Sequence, residues 1–213
     1  MSNLSGKGGA AVRRKEFEVS DQSRIEEVLQ RAEIGYLAVN GADGWPRLTA
    51  VNYAYDGRIL WHGAVAGERF ETLKKDPRAT FFAVSLQTYL PSYFLFEEDA
   101  SGSSVAFKSV TVRGRCRFIE DPAEKCVVLN LLMEKYQPEG RYRRLSAEEE
   151  MYKKVLRMTG AFALIPETMT GKFKLAQQKS EEERRRIAEK LRERGTPSDL
   201  LVAEEMIKGL GQG

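Results

Sequence analysis

The 213-residue sequence is poor in the residues that most often hold metals or carry catalysis. It has one histidine, His62, and two cysteines, Cys116 and Cys126, which are too far apart for a Cys-x-x-Cys motif. These counts exclude a disulfide scaffold and most histidine-rich metal sites, and they make a Ser-His-Asp triad hard to place. We therefore expect no metal, and we interpret the cysteines as reduced thiols of a cytoplasmic protein.

Long apolar runs, phosphate-binding glycine loops and long basic stripes are also missing. No apolar run approaches the roughly 20 residues of a membrane span, and no Gly-x-Gly-x-x-Gly or Walker pattern occurs. The net charge is only +3, with acids and bases interspersed, so we expect neither nucleic acid nor membrane as a partner. The glycine- and serine-rich start lacks an apolar signal core, and we predict a disordered tail over residues 1–13.

The remaining sequence is typical of an antiparallel sheet with helices at its ends. Alternating apolar residues and turn signals predict strands at 34–39, 48–53, 59–62, 80–84, 105–119 and 155–165. The Asp56-Gly57 turn predicts a hairpin, and we expect the first three strands to be neighbours in a meander. The segment 86–104, which is rich in aromatic residues, is predicted to be a long loop. Together these elements predict a mainly β domain, a barrel-like sheet of about six strands, over residues 14–178.

Helix signals occur between the strands and after them. Helices are predicted after Ser20-Asp21, over 67–75, after Asp121, near 146–149, after Ser180 and after Ser198-Asp199. The expected apolar face after Asp121 consists of Val127, Val128, Leu131, Leu132 and Tyr136, and that of the last helix of Leu200, Ala203, Ile207 and Leu210. The last two helices, within residues 179–213, are predicted to form a solvated hairpin. We expect a chain that ends near Gln178 still to bind its cofactor.

Polar groups concentrate where two strands end and a short helix begins. Arg47 leads into one strand, His62 closes another, and Gly67-Glu68-Arg69 opens the helix. A helix start offers free N–H groups and partial positive charge, so these arginines could form a pocket for a phosphate dianion. The alternative is a set of unrelated surface arginines.

Three segments resemble the pyridoxamine 5′-phosphate oxidase-like split barrels. Residues 45–64 resemble the flavin-binding hairpin of that fold, 67–79 its helix and following turn, and 109–125 its later long strand and helix entry. His62 after the third strand and Thr170-Gly171-Lys172 are most similar to the nitroimidazole-resistance-like branch. The resemblance extends from about Arg14 to Lys174. It implies a split antiparallel β-barrel that binds FMN at the interface of a homodimer.

The resemblance also implies a role in FMN binding for ten residues. Arg47 and Arg69 match positions directed at the FMN phosphate. The other eight match positions beside the flavin ring or the ribityl chain: Thr49, Ala50, Val51 and Asn52 on one strand, Trp61, His62 and Gly63 on the neighbouring strand, and Ser109 from the other subunit. No catalytic residue is implied.

Two departures from the family pattern bear on the function. Glu68 stands where many members have a basic residue, which removes one charge for the phosphate. Residues 172–178 lack the Arg-x-His-type substrate motif, and Lys172 and Lys174 are predicted to lie in a solvated turn. The resemblance thus argues against vitamin-B6 oxidation.

The resemblance favours an FMN flavoprotein that passes electrons from a nicotinamide donor to a small organic acceptor, such as a nitro or quinone compound. The alternative is a non-catalytic flavin- or haem-binding sensor or carrier on the same barrel. Of these two cofactors, haem is the less favoured prediction, because His62 is the sole histidine available as an axial ligand. A deazaflavin in place of FMN is a third option.

Overall fold

Strands and helices alternate along the chain, which is known here from a computed structural model describing residues 12–208 and 210. The strands in this part are β1 (Glu18–Val19), β2 (Gly35–Asn40), β3 (Pro46–Val51), β4 (Ala54–Tyr55), β5 (Ile59–Gly63), β6 (Arg78–Leu90), β7 (Ser104–Ile119) and β8 (Gly160–Lys174). The α-helices are α1 (Gln22–Arg31), α2 (Glu68–Lys75), α3 (Pro122–Tyr136), α4 (Glu150–Met158), α5 (Glu181–Arg194) and α6 (Pro197–Ile207). Within residues 12–208 and 210, no helix is both long and apolar enough to cross a membrane. The predicted tail lies almost entirely outside the described residues.

The strands form one open sheet in the order β3-β2-β6-β7-β8-β5-β4, and β1 pairs with β8. Every pairing with a described register is antiparallel. β1 and β4 have only two residues each, so the sheet consists of six longer strands and two short ones. The predicted fold class, mainly β with helices, is confirmed.

The chain divides into two compact units. The described residues of the first unit are Glu33–Ala83 and Thr111–Met169, which include α2, α3 and α4. Those of the second unit are 12–32, Val84–Val110 and the residues from Thr170 onward, which include α1, α5 and α6. The predicted boundary between residues 178 and 179 stays a prediction.

Capping residues define several of the predicted helix starts. The side chain of Asp21 accepts the N–H groups of Ser23 and Arg24 at the start of α1. Asp121 caps α3 in the same way, with a proline at the first helical position. Ser180 forms a complete capping box with Glu183 at the start of α5. These starts need only local sequence, and the predictions are confirmed.

The predicted meander of three neighbouring strands is wrong. β2 and β3 pair with each other, but β5 pairs with β8 and β4 at the other end of the strand order. The chain leaves the first pair at the fully buried Tyr53, whose N–H donates to the Tyr136 hydroxyl at 3.0 Å. That hydroxyl donates to the Glu33 carbonyl at 2.5 Å. Tyr136 of α3 therefore binds backbone groups that a neighbouring strand would otherwise bind. The hairpin β4–β5 instead joins the sheet through the pairing of β5 with β8.

Two predicted strand boundaries are wrong: the end of β6 and the start of β8. β6 continues to Leu90, so the predicted loop 86–104 is five residues shorter at its start. The predicted strand 155–165 begins only at Gly160, because α4 continues to Met158. Leu156 is the buried residue of α4, so the apolar run contains the end of a helix as well as a strand.

β8 also extends further than predicted, which moves two lysines from a turn onto a strand. Lys172 pairs with Glu18 of β1, and Lys174 is the last residue of β8. Gly171 pairs with Val19, and a Cβ at this glycine would stand 3.0 Å from the Val19 Cβ. The glycine therefore permits a close approach between two strands and does not mark a turn.

The predicted apolar face of α3 is correct for Val128 and Leu132, which are buried, but the buried face also includes residues outside that prediction. Val127 is exposed, and the residues buried on this helix are Cys126, Val128, Asn130 and Leu132. The polar groups of the buried Asn130 are satisfied, since its amide donates to the Leu145 carbonyl and accepts the Leu145 N–H, both at 2.9 Å. The helix packs in a core cluster of the first unit with Ala54, Leu60, Ile119, Ala161 and Ala163.

Charged residues on α5 and α6 bind strand residues of the second unit. The fully buried Asp199 accepts hydrogen bonds from Arg194 Nε at 2.8 Å and from the Thr88 hydroxyl at 2.5 Å. Arg194 lowers the pKa of Asp199 well below its usual range. Of the predicted apolar face of α6, Ala203 is buried as expected, whereas Leu200 is exposed, and Val202 and Met206 are buried in addition.

A second ion pair lies in the same unit. Lys108 on β7 is only 4% exposed, and its Nζ lies 2.6 Å from a carboxylate oxygen of Glu205 on α6. Burying an ammonium group is costly unless a counter-charge accompanies it. The position of α6 on the strand therefore supplies the charge that Lys108 requires.

Glu205→Gln is expected to lower the free energy of unfolding by about 3 kcal/mol, because the buried Lys108 would lose its partner. Denaturant unfolding followed by circular dichroism measures the change. Glu204→Gln, an exposed neighbour on α6, is the control and should alter the free energy by less than about 0.5 kcal/mol. Equal small effects of both substitutions would contradict the assignment of Glu205 as the necessary partner of Lys108.

Candidate functional site

The first turn of α2 lies beside both strands on which most of the candidate residues stand. Gly67 precedes the helix with a φ of 93°, a left-handed conformation that glycine adopts without strain. No side chain caps this helix start, and the first turn closes with a hydrogen bond from the Glu71 N–H to the Gly67 carbonyl at 3.1 Å. The N–H groups of residues 68–70 therefore have no partner within the helix and carry partial positive charge.

Arg69 is a half-buried cation in the first turn of α2. Among the residues that the structure describes, it forms no ion pair, and burial lowers the pKa of its guanidinium group. Its Nη2 atom lies 2.7 Å from the point where a Cβ would stand at Gly63, so the glycine leaves space for the guanidinium. Burial raises the pKa of the Cys116 thiol to about 12, and the nearby Arg69 opposes that rise.

Arg47 has acceptors on all three nitrogen atoms of its guanidinium. Its Nε donates to Glu68 Oε1 at 2.6 Å, and its Nη2 donates to Asp43 Oδ2 at 2.9 Å. Its Nη1 donates to the backbone carbonyl of Trp45 at 3.2 Å, while the Trp45 side chain is 72% exposed. Asp43 and Glu68 raise the pKa of Arg47. Of the two arginines predicted to bind the phosphate, Arg47 is therefore paired with two carboxylates of this chain, whereas Arg69 has no ion pair among the described residues.

β3, at the edge of the sheet order, carries the candidates Thr49, Ala50 and Val51 besides Arg47, and Asn52 follows it. Ala50 is exposed, Thr49 is half-buried, Val51 is buried, and Asn52 is exposed just beyond the end of the strand. Side chains alternate along a strand, so Arg47, Thr49 and Val51 share one face. An edge strand also presents backbone N–H and C=O groups that no neighbouring strand binds.

β5 places its three candidate residues in different environments. Trp61 is fully buried and pairs across the sheet with Phe162, on which its ring stacks at a centroid distance of 5.4 Å. Its indole N–H has no hydrogen-bond partner in the described part of the chain. His62 is exposed on the opposite face of the strand, and Gly63 is half-buried beside Arg69. Trp61 therefore lies in the core behind the site, and Gly63 lies at the edge of the site next to Arg69.

Ser109 lies on β7 in the second unit. It is 3% exposed, and its hydroxyl donates to the Lys172 carbonyl at 3.3 Å. Its hydroxyl thus already has a partner within this chain. The predicted contact of Ser109 with a flavin in the other subunit stays a prediction.

The structure brings Arg47, Gly63 and Arg69 together around the first turn of α2, and it adds two residues that sequence reasoning missed. Asp43 had an available signal, since an acid four residues before Arg47 in a turn can pair with it. Phe162 had none, because it reaches Trp61 only through the pairing of β5 with β8. The FMN-binding roles of the ten candidate residues stay predictions.

Three solved structures share the fold. The flavocytochrome Anf3 from Azotobacter vinelandii is 22% identical, with 81% of this chain and 77% of that chain covered and a TM-score of 0.66. The FAD and heme binding protein from Mycobacterium smegmatis is 19% identical, with 78% of each chain covered and a TM-score of 0.63. A proposed 5-nitroimidazole antibiotic resistance protein from Bacteroides thetaiotaomicron is 21% identical, with 73% of this chain and 85% of that chain covered and a TM-score of 0.60.

No curated protein matches the chain. The model of the family described as pyridoxamine 5′-phosphate oxidase matches residues 21–173, from the N-cap of α1 to the next-to-last residue of β8. This range agrees with the resemblance predicted from about Arg14 to Lys174. The predicted split-barrel fold is confirmed, and the chain belongs to the pyridoxamine 5′-phosphate oxidase family.

Proposed function

We propose that this chain binds FMN and acts as an oxidoreductase, passing electrons from a nicotinamide donor to a small organic acceptor. The observation that carries the proposal is Arg69, a half-buried guanidinium at the uncapped start of α2 with no anionic partner among residues 12–208 and 210. A partly desolvated cation of this kind is stabilised by an anion. The phosphate of FMN supplies that anion.

The groups around the start of α2 fit one phosphate. Free N–H groups of the first turn and the guanidinium of Arg69 can donate to the same phosphate oxygens. Gly63 leaves room for the guanidinium beside β5. Arg47 contributes less, because each of its nitrogen atoms already donates to an acceptor of this chain.

The edge of β3 suits the polar edge of a flavin ring. Its unpaired backbone groups offer both donors and acceptors, which match the amide-like edge of the ring. Thr49 adds a hydroxyl on one face of the strand, and Asn52 adds an exposed amide where the strand ends. These groups would orient the ring relative to the phosphate site.

A bound flavin supplies the redox chemistry, and the chain binds and orients it. Membership of the family supports a flavin, and two structures that share the fold are named a flavocytochrome and an FAD and heme binding protein. The nicotinamide donor and the organic acceptor are proposed from the resemblance to the nitroimidazole-resistance-like branch. The buried core behind Gly63, including Trp61 and Phe162, shields one side of the site from water.

The absorbance spectrum of the purified chain tests the proposal. We expect flavin bands, release of FMN on denaturation, and bleaching of the bands by NADH or NADPH without oxygen. A haem spectrum without flavin would instead identify the haem-binding sensor, and a released deazaflavin would correct the cofactor. A colourless chain that takes up no added flavin would contradict the proposal.

Arg69→Ala is expected to weaken FMN binding roughly ten- to a hundredfold, because it removes one charge-assisted hydrogen bond of about 1.5–3 kcal/mol to the phosphate. Riboflavin has no phosphate, so its affinity should change less than twofold. Titration of each apo protein with both ligands, followed by flavin fluorescence, measures the difference.

Lys75→Ala is the matched control, since it removes one exposed positive charge from the last turn of the same helix. It should leave both affinities within about twofold of the wild type. An unchanged FMN affinity in Arg69→Ala would remove Arg69 from the site. An equal loss for FMN and riboflavin would assign Arg69 to the structure of the pocket and not to the phosphate.

We also propose that the protein is a homodimer. One face of the sheet in the first unit carries Leu48, Tyr36 and Phe82, which are 68%, 41% and 38% exposed. The register places Tyr36 between Ala50 and Phe82, and Leu48 lies on the same face as Ala50. A contiguous apolar patch of this kind is typical of an interface, and two-fold symmetry allows a second copy to cover it with the same patch.

Leu48→Glu is expected to convert the dimer to a monomer at micromolar concentration, because it places a charge in the apolar patch on both subunits. Light scattering measures the mass in solution. Leu201→Glu, an exposed leucine on α6, is the control and should leave the mass unchanged. A wild-type chain that is monomeric with flavin bound would contradict the dimer proposal.

A further inference from the structure

Glu68 and Arg47 join the start of α2 to β3 through a contact between residues 21 positions apart. Glu68 Oε1 accepts a hydrogen bond from Arg47 Nε at 2.6 Å, although the Glu68 side chain is 60% exposed. Asp43 binds the same guanidinium from the turn before β3 at 2.9 Å. Arg47 is therefore bound by carboxylates from two different elements of this chain.

Four charged side chains beside the start of α2 sum to zero, and a fifth, Glu71 in the first turn, is paired with Lys74. Arg47 and Arg69 contribute two positive charges, and Asp43 and Glu68 contribute two negative ones. Only Arg69 has a charge that no carboxylate of the described chain offsets. A phosphate at this helix start would therefore meet one available side-chain cation and the negative charge of Glu68 at the first helical position.

We infer that Glu68 is a specificity-determining residue that shifts the site from doubly charged phosphate monoesters toward flavins whose proximal phosphate carries a single charge. This inference rests on the flavin function proposed above. FMN ends in a monoester with close to two negative charges at neutral pH, whereas the flavin-proximal phosphate of FAD lies in a diphosphate linkage and carries one. Glu68 acts twice, because it occupies Arg47 and repels the incoming anion.

The expected size of the effect follows from Coulomb's law. In water, two unit charges about 6 Å apart change an equilibrium constant by about threefold, and a doubly charged partner changes it by about tenfold. Removing the charge of Glu68 should therefore favour FMN by about tenfold and FAD by about threefold. Riboflavin, which has no phosphate, should bind as before.

The test is titration of the wild-type chain and Glu68→Gln with riboflavin, FMN and FAD at neutral pH. We expect the ratio of FMN to FAD affinity to rise about threefold in Glu68→Gln, with riboflavin affinity within twofold of the wild type. Glu71→Gln is the matched control, because Glu71 is an acid in the same helical turn whose ion pair is with Lys74 and not with Arg47. It should leave the FMN to FAD ratio unchanged.

Arg47→Ala, made in both backgrounds, tests whether Glu68 works through Arg47. In the wild-type background it should lower FMN affinity, because it leaves the negative charges of Asp43 and Glu68 without their counter-charge. In the Glu68→Gln background it should remove at least half of the gain in FMN affinity. Thermal unfolding of each variant shows that the fold is retained.

Each outcome separates this inference from the proposed function. Flavin binding with an unchanged FMN to FAD ratio in Glu68→Gln would overturn the inference and leave the proposed function intact. An equal change in Glu71→Gln would also overturn it, because the effect would then belong to net charge. Failure of all three flavins to bind any variant would overturn the proposed function together with the inference.

Discussion

The candidate site depends on the contact of one helical turn with two strands that are distant in the sheet order. β3 stands at one end of that order, and β5 is next to the other end. Successive residues of a helix point about 100° apart. Glu68 therefore reaches Arg47 on β3, while Arg69 lies against Gly63 on β5. If α2 were displaced, the charged side chains, the uncapped N–H groups and the edge of β3 would no longer surround a single binding site.

The sequence predicted those parts of the fold that local chemistry determines. Asp21 and Ser180 were recognised as helix starts because each side chain bonds to N–H groups only two or three residues away. The Asp56-Gly57 hairpin is correct for the same reason, with Gly57 at a φ of 95°. The meander failed because the partner of the Tyr53 backbone is Tyr136, which lies 83 residues away. No pattern within a few residues identifies such a partner.

The same limit applies to the site. Arg69 could be predicted because a basic residue at a helix start is a local signal for anion binding, and the structure leaves it without a carboxylate partner in the described chain. The state of Arg47 could not be predicted, because its pairing with Glu68 requires that β3 and α2 meet. The sequence suggested that Glu68 weakens the phosphate site by one charge. The structure adds that this residue also occupies one of the two arginines.

The two tryptophans stand in opposite environments, which gives the molecule two separate fluorescent reporters. Trp61 is fully buried and stacks on Phe162, and its indole N–H has no partner among the described residues, so we expect its emission at short wavelength and little quenching by iodide. Trp45 is exposed to water in the turn whose backbone binds Arg47, so we expect its emission at longer wavelength and ready quenching by iodide. Iodide quenching thus separates the signal of the turn beside Arg47 from that of the core behind Gly63.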